Sequence, residues 1–237
     1  MSILVVTGTD TGVGKTVVAA AVAALARGRG SSVAVVKPAQ TALASGDAGD
    51  LDTVIRLSGV TTTFELCRYS EPLSPAAAAR VGGLPPVSLA DVARLVRELA
   101  ESNRLVIVEG TGGLLERYDE DGGTIADLAR SLGGQVLVVV GAGSGSVNQA
   151  ALTLEALAHR GLEPVGLVIG RWPEEPGVVE RSNVADLEML AARPLAGALP
   201  ERAGGLGREA FAQVARKGLG PALGGVFDPS AFRQQVL

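Results

Sequence analysis

The N-terminal segment of the chain reads Ser2-Ile-Leu-Val-Val-Thr-Gly8-Thr-Asp-Thr-Gly12-Val-Gly14-Lys15-Thr16, and the alanine-rich run Val17 to Ala26 follows it. An apolar run of strand length leads into a turn with three glycines, then a Lys-Thr pair, then a segment of good helix formers. This is the order of strand, phosphate loop and helix in nucleotide-binding sites. The segment therefore predicts that the chain binds phosphate groups.

The residue types of this loop suit the chemistry of a triphosphate. Glycines let backbone N–H groups approach the phosphate oxygens, and the helix start adds free donors and the positive end of the helix dipole. We expect Lys15 to reach the β- and γ-phosphates and the Thr16 hydroxyl to bind Mg²⁺. Gly8 and Gly14 enclose five residues, whereas the usual phosphate loop has about four at this place.

Length and composition exclude several classes of protein. The 237 residues, 47% of them hydrophobic, suffice for one α/β domain with a sizeable core. The longest apolar stretches have strand length, so we expect no membrane span and a cytoplasmic protein. The net charge of −4 and the lack of a basic run argue against a nucleic-acid partner. Cys67 and His159 are single residues of their types, which disfavours a disulfide, a zinc cage or a His-bearing triad.

Strand and helix patterns alternate along the rest of the chain. We predict strands at 32–36, 105–109, 135–140, 164–169 and 195–199, and helices at 51–57, 74–80, 88–100, 147–160, 178–190 and 208–217. This alternation predicts the α/β class: one three-layer domain over residues 1–237, with a mainly parallel central β-sheet and helices on both faces. The stretch from about residue 220 to 237 is rich in glycine and has no pattern that predicts its structure.

Charged side chains follow two of these strands. The carboxyl ends of parallel strands open onto one crevice, where ligands bind. Lys37 follows the second strand and Glu109 ends the strand at 105–109, so we expect both to face the crevice that holds Lys15. Phosphate-loop enzymes commonly place a metal-directed carboxylate at such a strand end. The alternatives are a solvated Lys37, and a Glu109 that caps a helix or pairs with a surface lysine.

Three motifs together resemble the ATP-dependent dethiobiotin synthetases of biotin biosynthesis, which have the P-loop NTPase fold. They are Thr7 to Thr11 with Val13-Gly14-Lys15-Thr16, then Lys37-Pro38 with Thr41, then Glu109-Gly110 with Gly112-Gly113. The similarity runs from residue 3 to about 203, and the five-residue glycine spacing is the form found in this family. It implies a homodimeric cyclo-ligase that uses Mg²⁺ and ATP as cosubstrate. The substrates would be 7,8-diaminononanoate and CO2 or bicarbonate; the product would be dethiobiotin, formed through a carbamate and a phosphorylated carbamate with release of ADP and phosphate.

The same resemblance implies roles for substrate-binding residues. Lys37 and Lys15 would be catalytic, with Lys37 steadying the carbamate and its phosphorylated form. Thr41 would contact the substrate. Residues near Asn148 would reach the substrate carboxylate across a two-fold interface. The start of the helix there suits an anion, and the alternative is plain capping by Ser146.

Metal and nucleotide ligands are implied in the same way. Thr16, Asp50 and Glu109 would hold Mg²⁺, and Asp47 is a rival for Asp50 because the loop length is uncertain. The residues expected to bind ATP are Gly12, Val13, Gly14, Lys15, Thr16, Val17, Asp50, Glu109, Gly110, Thr111, Gly112, Gly170, Arg171, Pro200 and Glu201.

Several positions depart from the family pattern. Ala42 replaces a glycine, Thr111 an alanine and Gln149 a histidine. Gly170-Arg171 stands where many relatives have an Asn that reads adenine. A glycine cannot make the paired hydrogen bonds of a side-chain amide, so we expect weak selectivity for the base.

Two other classes share the phosphate loop. A ParA/MinD-like partitioning ATPase, a switch protein that dimerises on ATP, often has a lysine early in the loop. Gly8-Thr9-Asp10 lacks one. A nucleotide-binding module of an amidotransferase would need a glutaminase segment with Cys and His, and none is visible. The enzyme reading is therefore preferred.

Overall fold

Seven parallel strands form the centre of the computed structural model, which describes residues 2–236. The strands are β1 (Ser2–Gly8), β2 (Val33–Gln40), β3 (Thr63–Arg68), β4 (Leu105–Glu109), β5 (Gln135–Val140), β6 (Pro164–Trp172) and β7 (Gly197–Pro200). Their order across the sheet is β3-β2-β4-β1-β5-β6-β7, so β1 lies in the middle. Every strand pairs in parallel with its neighbours.

Helices cover both faces of this sheet. Successive side chains of a strand point to opposite faces, so Val5 packs into one core cluster while Leu4 and Val6 pack into the other. The cluster with Leu4 includes α1, α2 and α8; the cluster with Val5 includes α3 to α7 and α9. The helices are α1 (Lys15–Gly28), α2 (Asp50–Ser58), α3 (Pro75–Gly82), α4 (Leu89–Ser102), α5 (Ile125–Leu132), α6 (Ser146–Ala158), α7 (Val178–Ala191), α8 (Arg208–Gly218) and α9 (Pro229–Val236). The predicted three-layer α/β class is confirmed.

Strand β2 is longer than predicted, so Lys37 lies inside it rather than after it. The strand continues through Pro38 to Gln40. A proline has no N–H for the ladder and is normally excluded from central strands. Here β4 pairs with β2 only as far as Val36, so beyond that residue only β3 flanks the strand.

Elements β3 and α5 were not predicted. Strand β3 lies at an edge of the sheet and is half-buried, with charged residues among its apolar ones, so it lacks a buried-strand pattern. Helix α5 has 8 residues, and its start is marked by Thr124, whose side chain accepts a hydrogen bond from the backbone N–H of Asp127. Short elements of this kind give a weak periodic signal.

The glycine-rich tail, for which the sequence predicted no structure, packs against the domain. It contains a 3-10 turn at Pro221–Leu223 and the helix α9, while residue 237 lies outside the described residues. The ring of Phe232 meets Trp172 edge-on, with 5.0 Å between centroids, and Arg233 lies 3.2 Å from the buried Glu188 carboxylate.

No helix within residues 2–236 is both long and apolar enough to cross a membrane.

Candidate active site

The turn between β1 and α1 is built on glycines that no other residue could replace without strain. Gly12 and Gly14 have φ angles of 77° and 101°, in the left-handed region. A Cβ on Gly14 would lie 2.7 Å from the carbonyl oxygen of Gly170, so β6 passes directly against the loop. Gly14 is also the N-cap of α1 and has no side chain to bond the first N–H groups of the helix. Those donors are therefore available to an anion.

Lys15 lies folded back over this loop. Its ammonium donates a hydrogen bond to the backbone carbonyl of Asp10 at 2.8 Å, and the side chain is buried. Burial, and then the nearby charge of Lys37, lower the pKa of Lys15 to about 8. A bound triphosphate would favour the charged form.

Lys37 is the buried centre of an ion-pair network. Its Nζ lies 2.6 Å from Asp50 Oδ2 and 2.9 Å from Glu109 Oε1, and it donates to the carbonyl of Gly110 at 3.1 Å. Neighbouring strands explain the pairing, because Val36 of β2 is in register with Val108 of β4. Burial alone would lower the pKa of Lys37, but Glu109 and then Asp50 outweigh it and hold that pKa above its usual range. Lys37 therefore stays charged.

Three oxygen-bearing side chains meet beside this lysine. The Thr16 hydroxyl donates to Glu109 Oε1 at 2.6 Å, and Asp50 also lies within hydrogen-bond reach of Thr16. Burial would raise the pKa of Asp50, but Lys37 outweighs it and lowers that pKa. Burial raises the pKa of Glu109 against the opposing effect of Lys37.

These residues fit a magnesium ion that is shared with a phosphate group. Glu109 Oε2 is buried and has no hydrogen-bond partner among the described residues, so a bound cation would satisfy it. A hydroxyl and two carboxylates are the hard oxygen donors that Mg²⁺ prefers. No group of three His, Cys, Asp or Glu side chains within residues 2–236 forms a metal cage of protein alone. Mg²⁺ usually completes its shell with water and substrate phosphates.

The structure separates Asp50 from its rival Asp47. The Asp47 carboxylate accepts a hydrogen bond from the backbone N–H of Ala44 at 3.0 Å, and its carbonyl accepts one from Arg68 at 2.6 Å. The hydrogen bonds of Asp47 therefore stabilise the loop before α2. Asp50 begins α2, and its carboxylate points to Lys37.

A crevice of 450 Å³ joins these groups at the carboxyl edge of the sheet. Its volume is in the range of small-molecule sites. The residues predicted from sequence that line it are Gly12, Gly14, Lys15, Thr16, Val17, Lys37, Thr41, Asp50, Glu109, Thr111, Gly112, Arg171 and Glu201.

Five predicted residues do not line the crevice. Val13 is buried in the core, and Gly170 backs the loop, because a Cβ on it would collide with the carbonyl oxygen of Val13. Pro200 pairs with Trp172 in the ladder between β6 and β7. Gly110 contributes its carbonyl to Lys37. Asn148 is exposed near the start of α6, outside the crevice of the same chain.

Two positioning side chains were missed by the sequence reasoning. Gln40 Oε1 accepts from the backbone N–H of Asp50 at 3.0 Å, while its amide donates to the carbonyl of Thr41 at 3.1 Å. The Tyr118 hydroxyl, fully buried, accepts from the N–H of Thr111 at 2.7 Å. The position of Gln40 three residues after Lys37, at the end of β2, could have suggested its role. Nothing in the sequence marks Tyr118.

Thr11, Ala42 and Thr53 also line the crevice.

Two departures from the family pattern have visible consequences. Ala42 has a φ angle of 64°, the left-handed conformation that a glycine adopts freely and that costs other residues about 1–2 kcal/mol. Gln149 donates to Asp10 Oδ2 at 3.1 Å and ties α6 to the phosphate loop.

Comparison with solved structures gives the fold. The ParA family ATPase from Chlorobium tepidum TLS superposes with a TM-score of 0.59 at 14% identity, over 90% of this chain and 96% of that chain. The septum site-determining protein MinD from Pyrococcus horikoshii OT3 gives 0.58 at 14% identity, over 90% and 92%. At such identities the likeness supports the P-loop NTPase-like architecture and says nothing of function.

Comparison with curated proteins gives the family. The sequence profile of a family described as AAA domain matches residues 2–205. The ATP-dependent dethiobiotin synthetase BioD of Parafrankia sp. (strain EAN1pec) is 58% identical over 235 residues, 99% of each chain. The proteins of the same name from Frankia casuarinae and Saccharopolyspora erythraea are 58% and 56% identical over 98% and 95% of this chain, and over 98% of each relative. With its phosphate loop, its buried lysine network and this full-length identity, the chain belongs to the ATP-dependent dethiobiotin synthetases.

Proposed function

We propose that this protein uses ATP to close 7,8-diaminononanoate and CO2 into the cyclic urea dethiobiotin. One observation carries the proposal: the ammonium groups of Lys15 and Lys37 converge, with the open start of α1, on a single crevice. The reaction must hold an anionic carbamate beside an anionic triphosphate. Cations and backbone donors fixed where charge develops are the main way in which proteins stabilise such a transition state.

The reaction proceeds in three bond-forming steps. A neutral amine of the substrate adds to CO2 and loses a proton, which gives a carbamate. A carbamate oxygen then attacks the γ-phosphorus, and ADP leaves. The second neutral amine attacks the carbamoyl carbon; the C–O bond to phosphate breaks, phosphate leaves, and the amine loses its proton as the ring closes.

Lys37 acts in these steps through its charge. Because Glu109 and Asp50 hold its pKa above the usual range, it does not donate or accept a proton near neutral pH. It can instead orient and stabilise the carbamate oxygens, while Lys15 binds the β- and γ-phosphates. Thr16, Asp50 and Glu109 would hold Mg²⁺, which when bound neutralises charge on the phosphoryl oxygens. Thr41 lines the same crevice as Lys37, where it would contact the substrate.

We infer further that the enzyme is a homodimer with shared sites. Asn148 is exposed and lies outside its own crevice, so it would reach a substrate carboxylate only in a partner subunit. Leu152, one helical turn later, has 59% of its surface exposed, and Leu115 has 45%. These two residues border one concave surface, which is suited to an interface.

Mixed dimers test the shared site. Lys37→Ala and Asn148→Ala should each be inactive alone, whereas mixed subunits should recover roughly a quarter of wild-type turnover, because a statistical mixture contains half heterodimers with one intact site each. Leu152→Glu should shift the sedimentation coefficient to that of a monomer, and Met189→Glu, on an exposed site of α7, should not. No recovery on mixing would place Asn148 outside the site.

The decisive experiment for the activity measures ADP release by the purified protein with Mg²⁺-ATP and bicarbonate, with and without 7,8-diaminononanoate. Mass spectrometry of the same samples follows dethiobiotin. ADP release should depend on the diamine and match the cyclic urea formed. Slow hydrolysis that is indifferent to the diamine would contradict the proposal and favour an ATPase switch.

A further inference from the structure

A second cavity lies at the edge of the sheet opposite the crevice. It has a volume of 270 Å³ and opens at the amino ends of β1, β4, β5 and β6. The last turns of α1 and the 3-10 turn at Pro221–Leu223 form its other walls. None of the residues expected to bind ATP, Mg²⁺ or substrate lines it.

The cavity has an apolar floor, and Ser2, Ser31 and Gln135 also line it. Leu4, Val22, Ala26 and Leu223 belong to the core cluster that includes α1, and their exposed surfaces face the cavity. Val165, at the start of β6, is half-buried beside them. An apolar floor of this kind favours a ligand with a hydrocarbon portion.

Two arginines stand at the mouth. Arg29 is fixed, because its Nη1 donates to the carbonyl of Gly224 at 2.8 Å. Gly224 has a φ angle of 94°, and a Cβ there would collide with the Arg29 guanidinium, so the turn is shaped to receive that side chain.

Arg104 is the second arginine. Its backbone N–H is held by Ser32, at 2.9 Å from the hydroxyl and 3.0 Å from the carbonyl. Its guanidinium makes no hydrogen bond or ion pair with any of residues 2–236, and no Asp or Glu of that range lines the cavity. The chain carries a net charge of −4, yet the mouth of this cavity is positive, because no acidic side chain in the described part of the chain balances its two arginines there.

We propose that this cavity is a second ligand site and that it takes an aliphatic monocarboxylate. The carboxylate lies between the guanidinium groups of Arg104 and Arg29, whose planar donors match two carboxylate oxygens, and the chain lies on the apolar floor. A bare anion such as phosphate would leave the floor unfilled. A neutral chain would leave the guanidinium groups unmatched.

Methyl-resolved NMR of the full-length protein with octanoate tests this site. Octanoate should shift the methyl signals of Leu223 and Val165 in a saturable way. Arg104→Gln should weaken octanoate at least about tenfold, as the loss of a charge-assisted hydrogen bond implies. Arg104→Lys should restore only part of the affinity, because it keeps the charge but lacks the planar pair of donors. The control Arg94→Gln, on the opposite face of the sheet, should leave it unchanged.

Four results would overturn the proposal. These are shifts confined to the nucleotide crevice, unchanged affinity in Arg104→Gln, equally strong binding of octan-1-ol, or equally strong binding of inorganic phosphate. None of these readouts depends on catalytic activity, so the outcome is separate from that of the proposed function.

Discussion

Lys37 Nζ and Glu109 Oε1 lie 2.9 Å apart on adjacent strands, and each side chain is almost completely buried. This pair keeps a positive charge at the end of the crevice where the carbamate would form. Lys37→Ala should lower dethiobiotin formation at least about 100-fold, as the loss of a fixed oxyanion donor does, while the Kd for ATP measured by calorimetry changes little. Lys217→Ala, at the remaining and exposed lysine, is the control. Equal loss of ATP binding would assign Lys37 to the phosphates.

Asp50 and Asp47 allow a matched test of the metal site. Asp50→Asn removes a carboxylate beside Thr16 and Lys37. ATP with Mg²⁺ should raise the melting temperature of the wild-type protein more than ATP alone, and this variant should lose most of that difference. Asp47→Asn should retain that stabilisation, because within residues 2–236 Asp47 bonds only to its own loop and Arg68. Differential scanning fluorimetry with ATP, in Mg²⁺ or in EDTA, measures the difference. The reverse ranking of the two variants would make Asp47 the ligand.

The lowered pKa of Lys15 predicts proton uptake when ATP binds. Below pH 7 Lys15 is protonated with or without the nucleotide, so no proton is taken up. Above its pKa of about 8, the free protein has lost this proton, and the triphosphate brings it back. The Kd for metal-free ATP should therefore rise up to about tenfold per pH unit beyond that value. Calorimetry in EDTA, in two buffers of different ionisation enthalpy, measures the uptake. Lys15→Arg should show none, and a wild-type protein without uptake at pH 9 would refute the assignment.

Gly170 governs the expected weak selectivity for the base. ATP, CTP and GTP should bind with Kd values within about tenfold of each other, since Gly170 has no side-chain amide to read the base. Gly170→Asn should not create selectivity, because its Cβ would collide with the carbonyl of Val13 and press on Val139. It should weaken all three nucleotides together. Preference for ATP of a hundredfold or more in the wild type would contradict this view.

The contact between Trp172 and Phe232 predicts that the tail stabilises the domain. Phe232→Ala removes the edge-on ring contact and part of a half-buried side chain, so it should lower the free energy of unfolding by about 1–3 kcal/mol. The emission of Trp172, the single tryptophan, should shift to the red as water reaches it. Gln234→Ala, exposed on the same helix, is the control. An unchanged spectrum in Phe232→Ala would show that α9 does not cover Trp172 in solution.

The fold was predictable where the signals were local and strong. The phosphate loop, the buried strands and the longer helices follow from apolar runs and glycines. Strand β3 was missed because an edge strand buries only part of its surface, and α9 because its stability comes from rings that pack across the fold rather than from its own pattern.

The sequence predicted which residues line the site, but not the ion pairs and hydrogen bonds that connect them. Parallel strands bring their carboxyl ends together, and this rule alone predicts that Lys15, Lys37 and Glu109 share one crevice. The ion pairs required the order of the strands, since only adjacency of β2 and β4 brings Lys37 to Glu109. The roles of Gln40 and Tyr118 depend on side-chain geometry that no spacing encodes.

The charged side chains that line the nucleotide crevice cancel. Lys15, Lys37 and Arg171 are opposed by Asp50, Glu109 and Glu201, and the chain as a whole is negative. A triphosphate therefore meets no attractive long-range field on its approach. Its affinity must come from donors that act at contact distance, at the start of α1 and on the glycine loop. Capture of the nucleotide should proceed at an unsteered rate that added salt does not lower, although the groups that hold the phosphates are charged or polar.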